Sequence, residues 1–506
     1  STSSLLPSPP SFRFRSRHPC FPPRHSCAGR NLTAEACFLS VHRCFSAFTR
    51  DGRIFYNAKK RVSIQQERHT MIRALSLLFP FVFLCSASMS MAEAIAGNPQ
   101  AIADLQAGRR SDANVAWWGF DREDSTEMLQ AALDSGADRV VIPYTGAPWI
   151  TRPLVLRSHQ TVFFEPGVVV EAKKGAFLGK SDSLFRLEKG EDLTLLGYGA
   201  TLRMHKEDYL TPGYDNAEWR MTLSFTSCRR IHVEGVTLES SGGDGIYLGN
   251  SSGEQPWCED VVIRNVRCMN HHRQGISVIT AKNLLIENCL FADTDGTAPR
   301  AGIDFEPNQA DERIENCVVK NCVMENNAGP GILVYLMPLS RESAYVSLRF
   351  ENCHVRSGRD TGISVGAIKD DGPGGLIEFV SCTVENTYGR GLHIYDKGAD
   401  RTKVRFTDCR WSNTALRGDK GQKNLAPLVF TLNKTDNVSR LGGVEFIRCR
   451  VFDPFDRPVL IADTKDTPLS DIEGTIQFFS PTESPVALPD AQDAVTLSLE
   501  KEISFP

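Results

Sequence analysis

A repeat of about 29 residues constrains the fold of this chain more than any other feature of its sequence. A glycine followed by an aliphatic residue recurs at positions 245, 275, 302, 331, 362 and 391, with spacings of 30, 27, 29, 31 and 29 residues. A second series has a similar spacing. In it, a four-residue segment that begins with Ile, Val or Phe ends at Cys289, Cys322, Cys353, Cys382 and Cys409. A fixed period of this length, filled with short β-branched runs and no long helical pattern, is typical of a solenoid. The repeat therefore predicts an all-β chain folded as a single-stranded parallel β-helix.

Alternation within the repeat predicts which side chains face the core. Successive side chains of a strand point to opposite faces, so inward Ile303 and Phe305 place Asp304 and Glu306 on the outer face. The asparagines that precede several cysteines fit corners, because asparagine tolerates a left-handed backbone, and we expect them to form a ladder of side-chain hydrogen bonds. The cysteines at repeat positions are interpreted as small buried hydrophobic residues rather than disulfides.

The chain divides into five predicted segments. Residues 1–70 are rich in Arg, Ser and Pro and lack periodicity, so we expect a mistranslated or disordered leader. Residues 71–94 run from Met71 and Arg73 through an apolar stretch to small residues, the pattern of a secretory signal peptide. Residues 95–138 include a helix after Asp124 that we expect to cap the solenoid. Residues 139–465 form the β-helix, and 466–506 a C-terminal cap or tail.

Composition narrows the range of partners. The net charge is −4 with 23% charged residues, so the chain does not have the excess of basic residues that is typical of nucleic-acid-binding proteins. The signal peptide predicts an exported bacterial protein, periplasmic or extracellular, whose mature chain starts near Ile95 and has no membrane span. Oligomeric state stays open.

The N-terminal strands resemble a known superfamily. A helix followed by Val140-Val141-Ile142-Pro143, then Pro153-Leu154-Val155-Leu156 and Phe164-Glu165-Pro166-Gly167, looks like the start of right-handed parallel β-helix proteins of the pectin-lyase-like superfamily, especially polygalacturonases. The resemblance covers about residues 120–410 and implies a right-handed coil. The superfamily includes polysaccharide hydrolases, lyases, epimerases and phage tailspikes, so it does not define the reaction.

The polygalacturonase motifs themselves are altered. Gly243-Asp244-Gly245 resembles the rung that carries an Asp pair, but it keeps one Asp. Arg273-Gln274-Gly275 stands where that family has Gly-His-Gly. Gly302-Ile303-Asp304-Phe305-Glu306 stands where it has Gly-Ile-Arg-Ile-Lys, so two carboxylates replace two cations that would hold a uronate. This exchange argues against a polygalacturonase.

One strip of the predicted outer face collects polar and aromatic side chains. The candidate catalytic residues are Asp304, Glu306 and Asp244, because crowded carboxyl groups acquire the separated pKa values that acid/base catalysis requires. Alternatively, the acids only solvate an exposed strand. The predicted substrate-binding residues are His271, His272, Arg273, Arg300, Tyr247, Tyr335, Arg390, His393, Tyr395 and Lys397. No cofactor or metal is predicted; calcium at Asp293–Gly296 is a weaker alternative, because the turn lacks the ligand spacing of a calcium loop.

These features leave three hypotheses for function. The first is a glycoside hydrolase that cleaves a polysaccharide or oligosaccharide by carboxylate acid/base catalysis. The second is a lyase or epimerase acting on a uronic-acid polymer, in which Arg, His, Tyr or Lys residues neutralise the carboxylate and take the proton. The third is a carbohydrate-binding or adhesive solenoid without turnover. We rank them in that order.

Overall fold

A computed structural model describes residues 97–253, 255–416, 425–433 and 437–502. The predictions of a leader at 1–70 and a signal peptide at 71–94 lie outside these residues. Within them the chain is a right-handed parallel β-helix with few helices, which confirms the predicted fold class. None of the described helices has the length and apolar character needed to cross a membrane.

Twelve of the described strands pair in parallel into one sheet, which we call the site sheet. Its strands are Leu154–Val155, Phe185–Glu188, Leu223–Thr226, Ile246–Gly249, Ile276–Val278, Ile303–Phe305, Ile332–Tyr335, Ile363–Ile368, Leu392–Lys397, Leu428–Thr431, Leu460–Asp463 and Val486–Ala487. The recurring glycine of the sequence repeat directly precedes six of these strands, so each repeat contributes one strand to this sheet.

The other 24 described strands form a second sheet with two parallel series. The long stack contains Asp112–Asn114, Arg139–Ile142, Gln160–Phe164, Glu191–Leu196, Arg229–Glu234, Cys258–Arg264, Ala281–Glu287, Ile314–Lys320, Val346–Glu351, Gly375–Val380, Lys403–Thr407, Leu441–Phe452, Leu469–Phe479 and Gln492–Lys501. The short stack contains Trp149–Thr151, Val169–Ala172, Thr201–Arg203, Thr237–Glu239, Arg267–Met269, Leu290–Ala292, Val323–Glu325, His354–Arg356, Thr383–Glu385 and Arg410–Ser412. The two series meet at Leu441–Phe452. This strand pairs with Lys403–Thr407 of the long stack and with Arg410–Ser412 of the short stack.

The corner between the long and short stacks is built on left-handed residues. Asn288, Asn321 and Asn352 have φ angles of 56°, 54° and 51°. The Asn321 side-chain amide donates to Asn288 Oδ1 at 3.2 Å, and that of Asn352 donates to Asn321 Oδ1 at 2.8 Å. Each corner therefore bonds to the next along the stack, and the predicted asparagine ladder is confirmed.

Stacked identical side chains fill the interior. The rings of Phe350, Phe379, Phe406 and Phe446 follow one another with centroids 4.8, 4.8 and 5.4 Å apart. All ten cysteines of the described residues are free and buried, as their repeat positions predicted. Such stacking buries a continuous core that no single coil could bury alone.

Helices close the N-terminal end of the core. The helix Thr126–Leu133 buries Leu129 and Leu133 against the first coil, and Asp124 Oδ1 accepts a hydrogen bond from the Thr126 backbone N–H at 3.1 Å. A second helix, Pro99–Gln106, and the 3₁₀ helix Val115–Trp118 lie beside it, while another 3₁₀ helix, Asp208–Leu210, lies in a loop. At the other end, the segment expected to form a cap or tail contributes two long-stack strands, Leu469–Phe479 and Gln492–Lys501.

Candidate active site

Two columns of outward side chains run along the site sheet, and strand register aligns them from coil to coil. The first column is Tyr247, Ser277, Asp304, Leu333, Ser364 and His393. In the second, Tyr335, Gly366 and Tyr395 are paired neighbours, and Gly249 and Glu306 occupy the matching place two residues after Tyr247 and Asp304. The predicted alignment of these columns is therefore confirmed.

Asp304 and Glu306 are unequal members of an acidic pair. Asp304 points away from the core, as the alternation predicted, but it is 0% exposed, so the alternative in which it only solvates an exposed strand does not hold. Its Oδ2 atom accepts a 2.7 Å hydrogen bond from the Gln274 side-chain amide, and Glu306 lies beside it. Burial and the negative charge of Glu306 raise the pKa of Asp304 well above its ordinary value. Asp304 thus favours its protonated form, while the Glu306 side chain is 27% exposed.

Arg273 joins this pair to the third candidate acid. Its guanidinium lies 3.3 Å from Glu306 and 3.5 Å from Asp244, and its Nε atom lies 3.9 Å from a further carboxylate, Glu218. Burial works against the charged guanidinium, but the surrounding carboxylates prevail and raise the pKa of Arg273. Burial raises the pKa of Asp244 to about 6, although Arg273 opposes the rise. The three predicted acids therefore meet around one arginine.

A long loop brings Glu218 to the site. The stretch 205–220 follows the strand Thr201–Arg203 and precedes Leu223–Thr226, and it contains the 3₁₀ helix Asp208–Leu210. Arg220, fully buried, anchors the loop by donating to the backbone carbonyls of Phe177 at 2.8 Å and Asp215 at 2.8 Å. Its backbone also bridges to Gly242, next to the turn that carries Asp244. The loop therefore lies against the acidic site.

Two glycines make room for tyrosines on the face. A methyl group on Gly249 would lie 2.2 Å from the ring of Tyr247, and one on Gly366 would lie 2.6 Å from the ring of Tyr395. Burial, followed by the charge of Asp304, raises the pKa of Tyr395. Tyr335 lies beside Gly366 in the paired register, and burial followed by the charge of Glu306 raises its pKa. The tyrosines thus flank the acids along the sheet, as predicted.

The predicted histidines occupy three different environments. His271 is fully buried and its Nδ1 atom accepts from the Ser241 backbone N–H at 3.2 Å, so its ring does not face the acids. His272 lies in a polar cleft of about 470 Å³ with Lys206 and bonds to Thr297 at 2.9 Å. His393 is on the face, where it bonds to Thr431 at 2.8 Å and stacks on Tyr395. Burial and the neighbouring positive charges lower the pKa of both His271 and His393 to about 3, so both rings are neutral.

The structure does not bring Lys397 to the site face. Its side chain is fully buried and donates to the carbonyls of Gly398 at 3.0 Å and Gly442 at 2.6 Å. The alternation ends before Lys397 because Asp396 adopts a positive φ of 47°, which turns the next side chain inward.

The remaining predicted positions are on turns. Arg300 and Arg390 are partly buried, and neither Nε atom has a hydrogen-bond partner among the described residues. At the suggested calcium turn, Asp293 accepts a hydrogen bond from Asn326 and Asp295 forms a 2.8 Å ion pair with Arg359. Both acids are thus already engaged by side chains of later coils.

Sequence reasoning missed Glu218 and Gln274. Glu218 comes from a loop whose path no repeat predicts. Gln274, however, occupies the position before the repeat glycine that Asp244 occupies one coil earlier, so the repeat frame itself could have indicated it. Its side chain also accepts from the Ala301 backbone N–H at 2.7 Å, which fixes the orientation of its amide toward Asp304.

The fold and the outward acidic face define a right-handed parallel β-helix with a polar site on one sheet. Residues 219–365 match the sequence profile of the right handed beta helix region. No curated protein matches the chain significantly in sequence. The profile match agrees with the predicted right-handed parallel β-helix fold.

Several solved structures share this architecture. The family 28 exopolygalacturonase of Yersinia enterocolitica is 13% identical with a TM-score of 0.52, over 78% of this chain and 79% of that one. The A-module of an Azotobacter vinelandii mannuronan C-5 epimerase is 13% identical with a TM-score of 0.49, over 78% and 100%. The tailspike protein of E. coli bacteriophage HK620 is 14% identical with a TM-score of 0.48, over 74% and 72%. At 13% identity, the similarity to the exopolygalacturonase shows the fold alone.

Proposed function

We propose that this chain is a carbohydrate-active enzyme, a glycoside hydrolase that uses Asp304, Glu306 and Asp244. The observation that carries the proposal is the buried carboxyl group of Asp304, whose pKa is raised, beside the more exposed Glu306. Glycoside hydrolysis requires one carboxyl group that donates a proton and another that activates water or attacks directly. Carboxyl groups whose pKa values are separated by their surroundings meet that requirement.

In this proposal each acid has its own role. The Asp304–Glu306 pair holds one proton, and Glu306, its more exposed member, delivers it to the leaving oxygen as the glycosidic bond breaks. Asp244 accepts the proton of the attacking water as the new bond to the sugar carbon forms. Arg273 lies between Asp244 and Glu306, where it stabilises Asp244 when that base is ionised and Glu306 after it has delivered the proton. Tyr247, Tyr335, His393 and Tyr395 line the path of the polysaccharide or oligosaccharide on either side.

The roles of the acids predict a bell-shaped dependence of kcat/KM on pH. The base must be ionised, so activity rises with pH as Asp244 loses its proton near pH 6. The acid pair must keep its proton, so activity falls where the pair loses it, and burial with the charge of Glu306 moves that loss to higher pH by raising the pKa of Asp304.

The activity test uses residues 95–506 and a panel of neutral and uronate polysaccharides. New reducing ends and the ultraviolet absorbance of unsaturated uronates are followed together. Reducing ends without absorbance support hydrolysis. Absorbance would instead support the lyase alternative and shift the chemistry to arginines such as Arg300 and Arg390. If neither reducing ends nor absorbance appear but the polysaccharide binds, the remaining hypotheses are epimerisation and a non-catalytic carbohydrate-binding protein.

Matched variants test the assignment of the acids. Glu306→Gln and Asp244→Asn should each lower kcat by on the order of 10²-fold or more, because each removes a proton-transferring group. Glu378→Gln is the control, since Glu378 forms its ion pairs with Arg349 and Arg405 on the long stack. Circular dichroism verifies that each variant is folded. Full activity of both site variants would contradict the proposed roles.

We also propose that the protein is exported, on the pattern of residues 71–94. Expression of the full chain in a bacterium, followed by fractionation and N-terminal sequencing, should give a periplasmic or secreted product that starts near residue 95. An intact chain confined to the cytoplasm would contradict export.

A further inference from the structure

One aromatic side chain stands at the edge of the acidic site without a role in the proposed chemistry. Trp219 is 45% exposed, and it follows Glu218, whose carboxylate lies 3.9 Å from Arg273. A methyl group on Gly243 would lie 2.6 Å from the Glu218 carbonyl oxygen and 2.9 Å from the Arg220 backbone nitrogen. The Trp219 peptide therefore lies directly against the turn that leads into Asp244.

The loop around Trp219 is firmly held. Arg220 is fully buried; besides its bonds to Phe177 and Asp215, it donates to the carbonyl of Leu178 at 3.2 Å. The rings of Tyr209 and Tyr214 lie 5.3 and 5.7 Å from the guanidinium carbon. A fully buried arginine that bonds to backbone carbonyls of two chain segments fixes the backbone next to it. Little conformational freedom of this backbone is then lost when a ligand contacts Trp219.

We propose that Trp219 is a stacking platform for a sugar ring at the N-terminal end of the acidic site, and that the substrate is a linear chain of neutral sugars lying along the helix axis. This inference rests on the proposed function and specifies its substrate class. An indole offers a flat apolar surface with a polar edge, which matches a ring that has C–H groups on its faces and hydroxyl groups around its rim.

The direction of the chain follows from the coils. Trp219 precedes strand Leu223–Thr226, three coils before Asp304, and Tyr395 lies three coils after it. Neighbouring strands lie roughly 4.8 Å apart, so the strand of Tyr395 is roughly 14 Å from that of Asp304, whereas the loop of Trp219 reaches forward to the turn before Asp244. Aromatic residues thus lie before and after the acids in the order of the coils, which is the order that a chain lying along the axis would meet.

The charges at the site favour a neutral sugar. Arg273 is the cation nearest to the acids, and Asp244, Glu306 and Glu218 already surround it. A uronate entering this site would add a further negative charge close to carboxylates, which is unfavourable in a partly desolvated cleft. Neutral sugars carry no such cost.

Binding is measured without turnover, in the Glu306→Gln background. The probes are cellohexaose, maltohexaose, mannohexaose and chitohexaose, with hexagalacturonate as the charged comparison. Intrinsic tryptophan fluorescence and isothermal titration calorimetry follow each titration. At least one neutral hexasaccharide should bind and change the fluorescence, and hexagalacturonate should bind at least tenfold more weakly.

Variants assign the signal to one residue. Trp219→Phe should retain binding but lose the fluorescence change, and Trp219→Ala should weaken binding on the order of tenfold, the value expected for one aromatic contact. Trp257→Phe is the control, because the Trp257 ring is covered by the Arg313 guanidinium at 4.1 Å; it should keep both the signal and the affinity.

The outcomes separate this inference from the proposed function. Binding with equal affinity in the Trp219→Ala protein, tighter binding of hexagalacturonate, or no binding of any neutral hexasaccharide would overturn the stacking inference. The hydrolase proposal is judged on the reducing-end assay alone. Hydrolysis of a neutral polysaccharide by a Trp219→Ala enzyme with unchanged KM would leave the hydrolase standing and remove the platform.

Discussion

The raised pKa of Asp244 makes the site a source of pH-dependent stability. In the unfolded chain this carboxyl group ionises near 3.8, whereas in the folded protein burial holds its proton to about pH 6. Between these values the folded state binds more protons than the unfolded state, so the free energy of unfolding falls as pH rises. The contribution is fully present below pH 3.8 and is lost above about pH 6.

The size of this effect follows from the two pKa values. At about 1.36 kcal/mol per pKa unit, a rise from 3.8 to about 6 corresponds to roughly 3 kcal/mol. Asn keeps the shape of Asp but cannot ionise. The Asp244→Asn protein should therefore gain about 3 kcal/mol relative to wild type between pH 4 and pH 7. The variant also loses the contact with Arg273, which shifts the difference in the free energy of unfolding by a constant amount. The prediction is therefore tested by how that difference changes with pH.

The assay is equilibrium urea unfolding of residues 95–506, at half-unit steps of pH from 4 to 7. The quantity plotted is the free energy of unfolding of the variant minus that of wild type. Asp304, whose pKa is also raised, is present in both proteins, so its main contribution cancels in the difference.

Asp124→Asn provides the control for the same plot. Hydrogen bonds from Thr126 and Lys173 outweigh burial and lower the pKa of Asp124 to about 2, so its contribution is lost only as pH falls below 3.8. The difference for this variant should stay flat from pH 4 to 7. A flat line for Asp244→Asn as well, or a decline with rising pH, would refute the reasoning about the buried acid.

Two further predictions concern residues beside and away from the acids. Gly366→Ala should raise KM more than it lowers kcat, because the added methyl group would lie 2.0 Å from the Tyr395 carbonyl oxygen and 2.6 Å from its ring; steady-state kinetics test this, and an unchanged KM would contradict it. Burial lowers the pKa of Lys397 from 10.5 to about 7, so between these pH values the unfolded chain binds more protons than the folded protein and the free energy of unfolding of wild type rises with pH. Lys397→Met should abolish this rise. The free energy of unfolding of wild type minus that of the variant should rise by up to about 5 kcal/mol from pH 7 to 10.5, whereas a constant difference would show that the lysine keeps its ordinary pKa.

Periodicity predicted the parts of this structure that repeat. The glycine spacing gave the site sheet, and the alternation around Ile303 and Phe305 gave the outward direction of Asp304. Asparagines before cysteines predicted both the ladder and the buried thiols, because one residue type recurs at one place in each coil. Repetition supplies several observations of the same local environment, which makes such predictions reliable.

The same pattern did not predict how deeply each outward-facing side chain is buried. Alternation gives the direction of a side chain but not its depth, so it predicted that Asp304 faces outward but not that it is fully buried and bonded to Gln274. Lys397 was misplaced because one left-handed residue, Asp396, interrupts the alternation just before it. His271 was predicted to bind substrate, but its ring is fully buried and packs against the repeat glycine Gly245, where a Cβ would lie 2.6 Å from Nε2. The error at Lys397 thus arises where a single residue departs from the repeat.

The departures from the repeat are also where the candidate chemistry lies. A solenoid tends to place equivalent residues on successive coils, whereas a catalytic site needs different groups at one point. Here Ser277, Asp304 and Leu333 occupy one column, and Gln274 and Asp244 occupy one frame position on neighbouring coils. The loop that carries Glu218 adds a carboxylate that no coil could supply from its own strands. The regular coils thus hold the backbone fixed, and non-equivalent side chains on that backbone, together with one loop, create the charge gradient that separates a protonated carboxyl group from ionised ones.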